Sequence, residues 1–353
     1  MAEIKDKLRV LSSLARILNQ KQITWAVGAS VMLYLRGVTD HFNDIDLLID
    51  EKDVATLTEE FTKIGTLIKP NINDQYQSKY FLEFVVDEVE VDVIAGFVIN
   101  YHGIAYDCPL KPSQIDKKCM VNEQEIPLHA LSVWRKYYRL MERASKVEMI
   151  DQYVKNYPLG LKQGTVSLLS HQDEWVCSAA CVIEQLWQLL KGIALDIEHV
   201  GSTSISSISA KPIIDLAVKL KDFDKLESII IAMQEAGYLY RGSDIEGQCL
   251  FVLGSDEEHT RSHHIHFVLE TEEAWENYLN FKDYLNTHED KAKVYDDLKR
   301  KLATQFANDR IEYTNGKEEL IKQILQEAIM WRLSMEGDRN AITNNEGTKE
   351  FKY

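Results

Sequence analysis

The segment Asn43-Asp44-Ile45-Asp46-Leu47-Leu48-Ile49 carries two aspartates, one residue apart, in an otherwise apolar run. Side chains along a strand alternate, so Asp44 and Asp46 leave one face while Ile45 and Leu47 enter the core. Carboxylates held that close repel each other unless a cation sits between them. In Glu88-Val89-Glu90-Val91-Asp92-Val93 the acids again share one face. A third carboxylate from this run, Asp92 or else Glu90, would complete a site for two Mg²⁺ ions. Such a site neutralises a triphosphate and lowers the pKa of an attacking hydroxyl. Upstream stands Trp25-Ala26-Val27-Gly28-Ala29-Ser30. Gly28 lets backbone approach a phosphate closely, and Ser30 at a helix start offers a hydroxyl and amides to an anion. The plain alternative is a solvated strand edge, with Trp25 and Tyr34 as core residues.

The second half holds a different set. Glu198-His199-Val200-Gly201-Ser202-Thr203-Ser204 is followed by Ala210-Lys211-Pro212-Ile213-Ile214-Asp215-Leu216 and later by Arg261-Ser262-His263-His264-Ile265-His266. One carboxylate cannot hold two Mg²⁺ ions. Three uses remain open. The histidines can be hydrogen-bonded packing residues. Gly201, Ser202, Lys211, Asp215, His264 and His266 can line an anion or nucleotide pocket. Asp215 with His199, His264 and His266 can hold a transition metal, since residues two apart in a strand face the same way.

The elements that would position these groups follow from periodicity. Ile4, Leu8, Leu11, Ala15 and Leu18 step by fours and threes, which predicts an amphipathic helix. Ile23 to Val27 reads as a buried strand, Ser30 to Gly37 as a helix and Asp44 to Asp50 as a strand. Val54, Leu57, Phe61 and Ile64 mark a helix. Lys79–Val86 and Glu88–Ile94 alternate around Asp87-Glu88, which predicts a hairpin, with a third strand to about Tyr101. His129 to Arg143 reads as a helix. The segment 151–164, with its Tyr157-Pro158-Leu159-Gly160 turn, is expected to link residues 1–150 to a second domain over 165–334.

There the order returns: helix Gln172–Lys191, strands Ala194–Val200 and Pro212–Leu220, helix Phe223–Ala236, strands Cys249–Leu253 and His263–Leu269. Helices follow, with breaks near Asn286–His288 and Thr314–Gly316. Residues 335–353, polar and without period, are expected to be a disordered tail. Gly28 and Gly201 lie 173 positions apart, Asp44 and Asp215 171, and Asp92 and His264 172. Two copies of one fold are therefore expected, with Asp46 matched by Ala217 and the strand aspartate by the His264-x-His266 pair.

Composition narrows the partners. Across 353 residues, 56 acidic side chains against 40 Lys plus Arg give a net charge of −16. With no long Lys/Arg run, the balance argues against nucleic acid as a partner. No stretch approaches the ~20 apolar residues of a membrane helix. Five scattered cysteines read as reduced thiols. A soluble, cytoplasmic protein is expected.

A strand ending in Gly28-x-Ser30, a helix, a strand with Asp44-x-Asp46 and a later strand Asp92 together resemble the nucleotidyltransferase superfamily, in particular its small bacterial, aminoglycoside-adenylyltransferase-like members. That resemblance covers about the first hundred residues. It implies that Asp44, Asp46 and Asp92 hold two Mg²⁺ ions, that Asp92 doubles as general base, and that Gly28 and Ser30 position the triphosphate. The motifs of the second half, with Phe281-Lys282-Asp283-Tyr284-Leu285 and Tyr313-x-x-x-Lys317, resemble the GrpB-like family from about Thr165 to Ala328. That family is assigned to the same fold. The expected fold is thus α/β (α+β): two tandem nucleotidyltransferase-fold domains, each a small mixed sheet flanked by helices, with a helical C-terminal extension. The expected function is Mg²⁺-dependent transfer of a nucleoside monophosphate from a nucleoside triphosphate to a small-molecule or protein hydroxyl. In that reading the GrpB-like domain is an accessory or acceptor-binding unit. The alternative is a non-catalytic nucleotide- or metabolite-binding protein.

Overall fold

The computed structural model describes residues 2–69, 77–243, 246–254 and 259–346, with side chains through residue 335. It divides into two units, residues 1–156 and 157–353.

In the first unit, α1 (Ile4–Gln20) precedes β1 (Trp25–Val27), α2 (Ala29–Leu35), β2 (Ile45–Ile49), α3 (Val54–Phe61), β3 (Thr66–Ile68), β4 (Tyr80–Val86) and β5 (Val89–Ala95). Then come β6 (Val98–Tyr101), β7 (Ile104–Asp107), β8 (Ile115–Val121), β9 (Gln124–His129), α4 (Leu131–Leu140) and α5 (Ala144–Lys155). The main sheet has seven strands in the order β3-β4-β5-β2-β1-β9-β8. Val10, Leu11, Leu14, Ala15 and Leu18 of α1 are buried, as its spacing requires. Ile45 and Leu47 of β2 and Val91 and Val93 of β5 form the buried side of adjacent strands. Each such side chain contributes roughly 1.5–3 kcal/mol on burial. Asp87 and Glu88 take φ of 48° and 65°, the left-handed pair that a tight two-residue hairpin needs. Trp25 and Tyr34 are packing residues. Trp25 is buried with its Nε1 donating to Asn19 Oδ1, and Tyr34 lies 5.0 Å from the Phe42 ring.

The second unit contains β10 (Leu161–Lys162), α6 (Asp173–Leu189), β11 (Ala194–Val200), β12 (Ile214–Leu220), α7 (Leu226–Glu235), β13 (Leu239–Tyr240), β14 (Gln248–Leu253), β15 (Thr260–Arg261) and β16 (His263–Leu269). Helices α8 (Glu273–Thr287), α9 (Glu289–Gln305), α10 (Arg310–Asn315) and α11 (Glu318–Glu346) close it. Its sheet order is β11-β12-β16-β14-β13. β11 runs antiparallel to β12, β12 parallel to β16, and β14 antiparallel to both β16 and β13. Five strands of the first unit, β1-β2-β5-β4-β3, repeat that order and every one of those directions. The chain is mixed α/β, and the same strand pattern occurs twice.

The structure refines the sequence expectations in several places. Residues 151–164, expected as the link, contain the boundary between the units after Asn156. α5 runs through to Lys155 with Ile150 and Val154 buried, whereas Tyr157 donates to Gln172 Oε1 and Gly160 to Pro212 O in the second unit. Buried apolar residues before it and hydrogen bonds after it leave only a short crossing. The tail expected over 335–353 is helical as far as Glu346, because an unbroken backbone ladder without proline can outlast its apolar stripe. Residues 347–353 lie outside the described residues. The strand expected to reach Tyr101 is present as β6 and pairs with β7 in its own ribbon. The β8–β9 hairpin, which extends the first sheet beyond β1, was not expected. No helix among the described residues is long and apolar enough to cross a membrane, and the five cysteines form no disulfide.

Candidate functional site

In the first unit the parallel register of β2 and β5 sets Asp46 directly beside Asp92. Asp44, two residues earlier, emerges on the same side just before β2. One oxygen from each of Asp44, Asp46 and Asp92 lies within 4.8 Å of the others. Glu90, the alternative third acid, is exposed and is not part of this group. The Ser30 hydroxyl donates to Asp44 Oδ1 at 3.4 Å, and its backbone N–H donates to the Asp46 carboxylate.

The cost of the arrangement shows in the proton affinities. Burial raises Asp46 well above the usual carboxylate range, and Asp44 and Asp92 push it further; Arg143 and the Ser30 N–H act against them. Burial, then Asp44, Glu83 and Glu90, raise Asp92 to about 7. The cluster forms part of the wall of a cavity of about 760 Å³, which Phe81, Phe97, Tyr138, Arg143 and Lys146 also line.

Sequence reasoning missed Glu83, although its position was available. The hairpin register that pairs Val86 with Val89 also pairs Glu83 with Asp92. Arg143 and Lys146 were not assigned either: Arg143 ends the helix expected over His129–Arg143, and Lys146 lies in α5. Gly28 proves to serve packing. It does not line the cavity, and a Cβ there would lie 2.3 Å from Trp134 Cζ2 and 2.4 Å from Leu48 Cδ1. The residue thus permits close approach of an indole.

In the second unit, β12 and β16 pair Asp215 with His264 and Ala217 with His266. Asp215 Oδ1 lies 3.0 Å from His264 Nδ1 and 3.7 Å from His266 Nε2. These three residues each offer a donor atom within 4.8 Å of the others. Burial favours the neutral acid, but hydrogen bonds with His264 and His266 outweigh it and hold Asp215 well below the usual range. His199 stays apart. Burial depresses it to about 3, and Nε2 is 2.9 Å from Thr203 Oγ1, so it is a packed, neutral ring. Gly201, at φ 69°, lies against Asp215; a Cβ would come 2.6 Å from Asp215 Oδ2.

Ser202, Lys211, Asp215 and His264 line one cavity of about 220 Å³. Gly201, Ser202 and Asp215 line a second cavity of about 390 Å³. His266 lines neither, its ring 5.4 Å from that of Tyr278. The smaller cavity also receives Lys299, Arg310 and Lys317, which sequence reasoning did not assign. Arg310, Tyr313, Thr314 and Lys317 recur at steps of three and four, the signal that would have found them.

A mixed sheet repeated twice, with acids at one strand edge and an acid–histidine cluster at the other, defines the class of protein. The sequence model of the family described as "GrpB protein" matches residues 165–327. The "Glutamate-rich protein GrpB" of Alkalihalophilus pseudofirmus is 34% identical over 174 residues, 48% of this chain and 99% of that protein. This chain belongs to the GrpB family through its second unit. Among solved structures, the conserved protein GrpB from Enterococcus faecalis is 29% identical over 47% of this chain and 99% of its own, with a TM-score of 0.44. The antibiotic-resistance factor ANT(2'')-Ia is 9% identical over 41% of this chain and 77% of its own, with a TM-score of 0.30.

Proposed function

We propose that the first unit is a divalent-metal-dependent nucleotidyltransferase centre. The observation that carries this reading is the convergence of Asp44, Asp46 and Asp92 within 4.8 Å on the wall of a 760 Å³ cavity. The donor set fits Mg²⁺, since all three groups are hard carboxylate oxygens, and Asp46 is destabilised as an anion by its neighbours until a cation joins them. Bound metal would screen the triphosphate and acidify the attacking hydroxyl.

The chain's own residues would do the rest. Asp92, beside the place of the acceptor, accepts the proton of its hydroxyl. The hydroxyl oxygen bonds to the α-phosphorus, the bond from that phosphorus to the bridging oxygen breaks, and pyrophosphate leaves with the electron pair. Arg143 and Lys146 bring positive charge to the departing phosphates, and Phe81 and Phe97 offer rings for the base. Ser30 holds Asp44 and Asp46 in place through its hydroxyl and amide. We place the protein in the cytoplasm, in keeping with cysteines that stay as thiols.

Calorimetric titration of ATP, GTP, CTP and UTP with Mg²⁺ tests the reading. One nucleotide is expected to bind, and Asp44→Asn with Asp46→Asn to abolish that Mg²⁺-dependent binding; unchanged binding in the variant would refute the site. A second reading, binding without turnover, is favoured by the loss of acids in the second unit, where Ala217 takes the place expected for Asp46. It predicts a co-purifying ligand, visible by mass spectrometry, and no pyrophosphate release.

A further inference from the structure

The second unit concentrates positive charge in one place, and two of the four cations, Lys299 and Arg310, lie outside the motifs that carry the family resemblance. Lys211 on the loop before β12, Lys299 on α9, Arg310 on α10 and Lys317 just before α11 all line the same 220 Å³ cavity. They come from four separate stretches of a chain with net charge −16. The sole carboxylate in that lining, Asp215, is already engaged by His264 and His266. Lys211 and Lys317 flank the Tyr313 ring, at 5.3 Å and 4.4 Å from its centroid. Neither has a carboxylate partner within salt-bridge distance among the described residues. Burial lowers both, and each is lowered further by its cationic neighbours: Lys317 falls to about 8, with Lys211 as the next cause. Mutual repulsion of this kind is relieved by an anion, as carboxylate clusters are relieved by a metal.

The second cavity, of about 390 Å³, shares Ser202, Asp215 and Lys317 with the first. Its far walls are Tyr278, Phe281 and Tyr295 with Ile321 and Leu325, and Asn277 adds an amide. Phe281 and Tyr295 meet edge-on at 5.3 Å, which fixes both rings. A charged chamber thus opens beside an aromatic one.

We propose that the second unit binds a diphosphate ester without a metal ion, its phosphoryl groups among Lys211, Lys299, Arg310 and Lys317 and its organic group against Tyr278, Phe281 and Tyr295. Charge sets the number of phosphoryl groups. The Asp296 carboxylate beside Lys299 is matched by Arg300 at 2.7 Å, so the four lining cations against Asp215 leave a formal surplus of three, whereas a phosphomonoester carries only about −1.5 to −2. Adding a second phosphoryl group brings the ligand to about −3. Arg310 contributes a planar fork suited to two oxygens, whereas the lysines act as point charges. A divalent cation is disfavoured in the same place, since it would add to a charge that is already positive. This assignment is independent of the one made for Asp44, Asp46 and Asp92, which needs a divalent cation.

The test uses the full chain in EDTA, which silences any metal-dependent site, and calorimetry with orthophosphate, pyrophosphate and ADP. Pyrophosphate is expected to bind at least tenfold tighter than orthophosphate, and ADP tighter again through the aromatic wall. Lys211→Met with Lys317→Met should weaken both pyrophosphate and ADP tenfold or more, while circular dichroism stays unchanged. If that variant does not fold, Arg310→Gln serves in its place. Phe281→Ala should weaken ADP and leave pyrophosphate as it was. An alkyl diphosphate in a further arm separates an aromatic from an aliphatic organic group; binding equal to that of ADP would overturn the role of ring stacking. No pyrophosphate binding in EDTA, equal binding of orthophosphate, or binding untouched in the cation variants would overturn the proposal. None of these results bears on Mg²⁺-dependent nucleotide binding in the first unit.

Discussion

Asp46 and Asp92 stand opposite one another in the parallel pairing of β2 with β5, so their carboxyl groups share one face of the sheet. Neither can move away without shifting a strand whose apolar side chains are buried. The repulsion is therefore built into the backbone. Asp46→Asn removes one of the like charges and keeps the shape. In EDTA it is expected to stabilise the protein by about 0.5–2 kcal/mol, the usual yield when a functional strain is relieved. The same variant should lose the rise in melting temperature that Mg²⁺ gives the wild type. If Asp46→Asn proved less stable than wild type in EDTA, the acids would not strain the fold.

The raised Asp92 also sets a pH dependence. Its carboxyl titrates at about 7 in the folded chain and near 3.9 when unfolded. Between those values the folded state holds the additional proton, so this group's contribution to stability falls as pH rises through the window. Melting curves in EDTA are expected to show wild type losing stability relative to Asp92→Asn between about pH 4 and 7. Mg²⁺ affinity should run the other way and increase up to about pH 7, with proton release that depends on buffer in calorimetry. A flat difference between wild type and variant would place the Asp92 pKa at its ordinary value.

Much of this was legible beforehand because it depended on period-two patterns. Ile45, Leu47, Val91 and Val93 alternate with the acids, and alternation alone puts Asp44, Asp46 and Asp92 on one face. The exposed acidic turn at Asp87-Glu88 fixed the hairpin. The cationic cavity was hidden for the opposite reason. The spacing of Arg310, Tyr313, Thr314 and Lys317 groups two of its cations, but that Lys211 and Lys299 join them is set by long-range packing that no local pattern encodes. The β8–β9 hairpin was hidden because Lys117, Lys118 and Glu125 make its exposed face read as a polar loop. Gly28 reads as a position of close approach, but nothing in its surroundings in sequence announces Trp134.

That contact gives a prediction of its own. Gly28 has φ −121°, which any residue adopts, so Gly28→Ala carries no backbone strain. Its new methyl would nonetheless meet Trp134 Cζ2 at 2.3 Å and Cε2 at 2.8 Å. Overpacking of this kind costs about 1–3 kcal/mol. Gly28→Ala with Trp134→Leu should recover part of that loss, and urea unfolding of the two variants measures it. A single substitution as stable as wild type would mean that the indole moves freely.

Behind the cationic cavity, Lys299 is held by an acid that itself holds the neighbouring loop. Asp296 accepts from Ser209 N at 2.7 Å, from Ser209 Oγ at 3.3 Å and from Arg300 Nε at 2.7 Å. Lys299, only 1% exposed, lies 3.9 Å from the same carboxylate and donates to the Ser209 carbonyl. Burial is the main reason that its amine is depressed to about 7, and Asp296 opposes the shift. Asp296→Ala strips that support and leaves a buried cation among other cations. Breaking one side of a buried pair costs about 3–5 kcal/mol, so a clear drop in the urea midpoint is expected. Ser209 leads directly into Ala210 and Lys211, and the loosened loop should also weaken pyrophosphate binding in EDTA. Asp296→Asn, which keeps the acceptor for Ser209 N–H, should restore part of the stability. A loss below about 1 kcal/mol in Asp296→Ala would show that Lys299 is carried as the neutral amine.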